Sequence, residues 1–233
     1  MKRIVSYSVK EKTIEIHFSD GEISHYPIKA LPETFLVWQI GARLHLLESI
    51  KKNGVESIKT QPAHLPVLAS LGSAPFYVNL STRGIGLLPK KDKIQKFIEL
   101  FNSTREKFKN KPWRESITER MEILMILYNN VDNFNKFLLG GLEIFGGETQ
   151  KNLKNYPLSS LLYTGESPKF VSFQFNGLIT FIRENNLYYQ FLLAVRELFA
   201  HDNFHVPQLH YLYGYLFYPV EIKEKTPFSR KEE

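Results

Sequence analysis

Two strand-like runs, residues 158–164 and 169–183, are separated only by a turn signal around Glu166-Ser167-Pro168. A connection that short joins antiparallel strands, because a parallel pair needs a crossover of a dozen residues or more. This pair limits what the chain can become. The sheet has an antiparallel core, and helices must pack against it or beside it. A strand-like aromatic run at 209–223, LHYLYGYLFYPVEIK, is apolar on both faces and calls for burial on both sides. The expected fold class is therefore α+β.

The rest of the chain divides around that pair. Residues 3–9, 12–18 and 22–27 alternate and read as a meander, with Ser19-Asp20-Gly21 as a tight turn. Leu31-Pro32-Glu33 opens a helix that Asn53-Gly54 stops. Residues 65–88 give two or three strands, and 92–108 and 115–129 give amphipathic helices. A short strand is expected at 139–146, helices at 148–155 and 186–200, and the aromatic strand at the end. We expect an N-terminal unit at 1–60 and a larger one at 61–233, with a helical insertion at 90–137.

Composition excludes several chemistries. Among 233 residues there is no cysteine, so disulfides, thiolate catalysis and iron–sulfur clusters are ruled out. No apolar run reaches membrane-spanning length and the N-terminus lacks a signal-like apolar core, so a cytoplasmic protein without membrane contact is expected. The net charge of +6 favours phosphate-bearing partners. Its lysines cluster at 90–96 and 107–111, where solvated helix faces are the preferred reading. Nucleic acid is a possible partner, and not the favoured one.

The most informative stretch is residues 142–182, LEIFGGETQKNLKNYPLSSLLYTGESPKFVSFQFNGLITFI. A strand runs into Gly146-Gly147, then a short polar helix, a proline and further strands. Helix N-termini carry unpaired N–H groups and partial positive charge. A hydroxyl at Thr149 and an ammonium at Lys151 would complete a phosphate cradle there.

Thr149, Lys151, Asn152, Leu153 and Pro157 form a Thr-x-Lys-Asn-Leu-x-x-x-Pro run. In this the stretch resembles the FMN-binding split-barrel family related to pyridoxamine 5′-phosphate oxidase. The match covers about a third of the chain. The resemblance implies a split-barrel-like sheet built from 65–88 and 139–223, and a homodimer. It implies an FMN flavoprotein with oxidoreductase chemistry on the isoalloxazine, acting on an unknown small molecule. It also implies that Thr149, Lys151 and Asn152 lie at the cofactor, with Thr149 and Lys151 on its phosphate. Gln174 falls where many members carry an arginine. The chain departs from the family in its N-terminal meander and in the two helices that interrupt the barrel strands. The alternative is a non-enzymatic binding module that keeps the fold without the flavin and contacts nucleic acid or protein through its basic surface. A helix cap at Thr149 and a solvated Lys151 are the plain structural counterparts of the phosphate reading.

Other groups are weaker. His201, His205 and His210 lie near Asp202, but Asn203 and Pro207 suggest a helix end, and no metal site is expected. Arg196 and His201 share the Arg-x4-His spacing of HEPN ribonucleases, yet a strand-like run follows where that fold is helical. Ser159, Ser160 and Ser172 lack a nucleophile elbow, and Glu143 and Glu148 read as surface carboxylates. Tyr211, Tyr213, Tyr215 and Phe217 alternate as a stripe, for which core or interface is preferred over nucleic-acid stacking.

Overall fold

A computed structural model describes residues 2–54, 62–144, 146–166, 170–199 and 211–226. Strands β1 (Ile4–Lys10), β2 (Thr13–Phe18) and β3 (Ile23–Pro27) form an antiparallel meander. Helix α1 (Glu33–Asn53) follows, then β4 (Val67–Leu71), β5 (Val78–Thr82) and β6 (Gly86–Pro89). Helices α2 (Ile94–Lys107) and α3 (Trp113–Tyr128) precede β7 (Phe134–Leu142) and α4 (Glu148–Asn155). Strands β8 (Leu158–Glu166) and β9 (Phe170–Ile182), helix α5 (Leu187–Leu198) and β10 (Gly214–Glu224) complete the order. The fold is α+β with antiparallel sheets, as the alternation and the short turns require.

The second sheet has the order β5-β4-β8-β9-β10-β7-β6, all antiparallel. Its outermost strands, β5 and β6, are neighbours in sequence, joined by residues 83–85 alone. Four Cα steps from Thr82 to Gly86 reach at most about 15 Å. Six strand spacings in a flat sheet would hold those edges about 29 Å apart. The sheet must therefore curl until its edges approach, which is a split-barrel-like geometry. The Tyr163 hydroxyl on β8 donates to the Ile85 carbonyl at 2.9 Å, tying the sheet centre to the edge connection. The Ile85 N–H in turn donates to His64 O at 2.9 Å.

The inner face carries Leu68, Leu161, Tyr163, Phe173, Phe175 and Phe217, all buried. Phe35 of α1 enters this face, its ring 5.0, 5.3 and 4.7 Å from those of Tyr163, Phe173 and Phe175. Helix α1 thus belongs to the main core, whereas the meander packs Ile14 and Ile16 with Leu178 in a small separate cluster. At Gly141, where β7 meets the β5–β6 connection, an added Cβ would lie 1.7 Å from Gly84 O. Only glycine permits that approach.

Two boundaries differ from expectation. The strand expected at 139–146 is Phe134–Leu142 instead. Asn135 and Lys136 disguise its start, and it ends at Leu142, four residues before Gly146 and Gly147, which take φ of 66° and 80°. The final strand begins at Gly214 rather than 209. Tyr211 is drawn toward α5: its carbonyl accepts from the Tyr189 hydroxyl, and its own hydroxyl accepts from Arg196 Nε at 2.9 Å. The Glu166-Ser167-Pro168 turn lies partly outside the described residues.

Candidate functional site

Helix α4 forms at the residues the sequence indicated, and its amphipathic pattern decides where each side chain goes. Thr149, Asn152 and Leu153 are three to four residues apart, so they share one face. All three are buried. The Thr149 hydroxyl donates to Ser81 Oγ at 3.0 Å and accepts from Asn79 Nδ2 at 2.9 Å. Asn152 packs on the same hairpin, where a Cβ at Gly72 would stand 3.1 Å from its Nδ2. Lys151 is on the opposite side of the helix and exposed.

Register places Gln174 elsewhere. Ser81 pairs with Leu68, Leu68 with Leu161, and Leu161 with Phe175, so Thr149 meets the inner face. Gln174 pairs with Leu162, and Leu162 with Val67. That row lies on the other side of the sheet, because a one-residue step reverses the face. There Gln174 Nε2 donates to Asn176 Oδ1 at 3.0 Å, which also accepts from Ser160 Oγ at 2.6 Å. The structure brings Thr149 and Asn152 together, turns Lys151 to solvent and separates Gln174 from all three.

The approach to α4 already holds an anion. Glu143 is buried, its Oε1 accepts from the Gly146 N–H at 2.9 Å, and its Oε2 lies 3.8 Å from Arg83 Nε. Helix α4 begins at Gly147 with no side-chain cap. No residue of α4 lines either main cavity. With the Thr149 hydroxyl bonded on both sides, Lys151 facing solvent and Gln174 on the other side of the sheet, the four residues are not gathered around one phosphate within one chain.

Two concavities lie elsewhere. One, of about 440 Å³, runs between the meander and the outer face of the large sheet, bounded by Ile14, Ile16, Tyr26, Leu158, Ser160 and Asn176. None of its described lining residues carries a formal charge. The second, of about 350 Å³, sits between α1, α5 and the β6–β7 edge. Its walls are mainly aliphatic and aromatic, including Leu46, Ile50, Phe191, Leu192 and Val195. Into it come Arg43, His64 and Arg196, with no carboxylate among the described lining residues.

Arg43 and Arg196 occupy positions on otherwise apolar stripes. Arg43, Leu46 and Ile50 follow helical spacing on α1, as do Leu192, Val195, Arg196 and Phe199 along α5 and its end. Arg43 Nη1 lies 3.2 Å from His64 Nδ1. A guanidinium only donates, so His64 accepts on Nδ1 and carries its proton on the other nitrogen. The Arg43 guanidinium also rests over the rings of Phe199 at 5.1 Å and Tyr128 at 5.8 Å. Its Nε is shielded from solvent and meets no acceptor among the described residues. Sequence reasoning missed Arg43 and His64; the signal that would have found Arg43 is a cation on an apolar helical stripe.

The remaining candidates are quickly placed. Arg196 bonds Tyr211, while His201, His205 and His210 lie outside the described residues. Among the described residues no cluster of three or more His, Asp or Glu is arranged to hold a metal. Tyr215 and Phe217 are buried, so these two positions of the aromatic stripe are core, not a stacking platform. No helix among the described residues is long and apolar enough to cross a membrane.

No family model and no curated protein matches the chain. Solved structures do resemble it. HupZ of Group A Streptococcus is 9% identical, with a TM-score of 0.41 over 70% of this chain and 86% of that one. A candidate pyridoxamine 5′-phosphate oxidase from Listeria innocua is 10% identical, with a TM-score of 0.38 over 70% of this chain and 89% of that one. At such distances neither bears on the site, and the fold rests on the strand order and its closure.

Proposed function

We propose that this protein is a non-enzymatic small-molecule-binding module on a split-barrel-like scaffold, with its site between α1, α5 and the β6–β7 edge. One observation carries the reading: Arg43, His64 and Arg196 converge on an otherwise apolar cavity of about 350 Å³. Ligand sites commonly have this composition, an apolar lining with a few convergent polar groups. Anilinonaphthalene sulfonate, an aromatic anion, is a suitable probe. A saturable fluorescence rise at one dye per chain is expected. It should be lost in Val195→Trp, which fills the cavity, while unfolding stays cooperative. A flat titration of the wild-type protein would contradict the reading.

The flavin reading is the second. The uncapped first turn of α4, one turn from exposed Lys151, supports it. In that reading a homodimer completes the site, with FMN phosphate on Lys151 and oxidoreductase chemistry supplied by the flavin. Phe76, Tyr77, Val78 and Leu80, all more than half exposed beside the β5 edge, would supply the dimer surface. The visible spectrum separates the two readings. The binding-module reading expects a colourless protein that FMN does not reconstitute. A yellow protein whose flavin is lost in Lys151→Ala would establish the second reading instead.

A further inference from the structure

We infer that the pocket between α1 and α5 takes an apolar molecule bearing a single carboxylate, with Arg43 and Arg196 holding the head group. The inference rests on the binding site proposed above and names its ligand class. Two arginines, Arg43 and Arg196, line one small cavity whose described lining offers no carboxylate. Partly buried cations without an acidic partner are unfavourable, and an incoming anion relieves that cost.

The donors already in use narrow the choice. Arg196 Nε is bonded to the Tyr211 hydroxyl and Arg43 Nη1 to His64, which leaves Arg43 Nη2 and the two Arg196 Nη groups without an acceptor among the described residues. The planar edge of a guanidinium matches a planar carboxylate with two parallel hydrogen bonds. The rest of the cavity is apolar and near the lower end of the range for ligand pockets, so the body of the ligand is small and hydrocarbon-like. Phe199 and Tyr128 hold the Arg43 guanidinium over their rings, which orients it before a ligand arrives.

Calorimetric titration of the full chain with octanoate and with octanol tests this. Octanoate is expected to bind at least tenfold more tightly than octanol. Arg43→Met and Arg196→Met should each weaken octanoate by about tenfold and leave octanol unchanged. Arg43→Lys keeps the charge without the planar fork and should give an intermediate loss; it also serves where a Met variant fails to fold. Equal binding of octanoate and octanol would overturn the carboxylate assignment and leave the pocket standing. Binding of neither would overturn the pocket reading itself. Octanoate binding that ignores the arginine variants would place the ligand elsewhere and overturn the inference.

Discussion

The α4 turn and the α1–α5 pocket are both sites where polar groups gather, yet they differ in what those groups do. At α4 the buried hydroxyl of Thr149 is bonded to Asn79 and Ser81, and Glu143 supplies a nearby carboxylate. In the pocket, two arginines line a largely apolar space with no acid among its described walls. The first arrangement holds a helix to a hairpin. In the second, by the reading proposed above, charge is left for a ligand to answer. A run of site-like residue types is therefore a weaker sign of binding than unanswered charge beside a cavity.

The comparison can be broken by substitution. The largest effect is expected from Gly141→Ala, which forces a Cβ against Gly84 O beside the pocket and should cost about 3 kcal/mol. Denaturant unfolding reads this directly, and an unchanged midpoint would contradict the close strand approach. Thr149→Val should cost about 1–2 kcal/mol, since Asn79 and Ser81 lose their shared partner. It should leave dye binding in the pocket untouched; reduced binding with intact stability would turn α4 back into a site. Smallest of all, Lys151→Ala should change stability by no more than about 0.5 kcal/mol, because the side chain is exposed. A larger loss on thermal unfolding would mean that Lys151 has a structural partner.

Much of the fold was legible because its signals are local. Alternation marked the meander and the β8–β9 pair, and Gly146-Gly147 with Pro157 bracketed α4. The curl of the large sheet was not local. It follows from β5 and β6 lying at opposite edges of a sheet while adjacent in sequence, which no window of residues displays. The candidate site shows the same limit. Thr149 and Asn152 were visible as a motif, but their burial depended on which face of α4 met the β4–β5 hairpin. Gln174 could be put near them only until the strand register was known. Arg43 and Arg196 stand far apart in the chain, and only packing brings them to one cavity.

An amide NMR spectrum recorded as octanoate and then FMN are added to one sample tests the central contrast most directly. We expect octanoate to move the amides of residues near Arg43, Gly86 and Arg196, and neither compound to move those from Gly147 to Asn152. Shifts concentrated on that α4 turn, with the arginine pocket silent, would contradict the account.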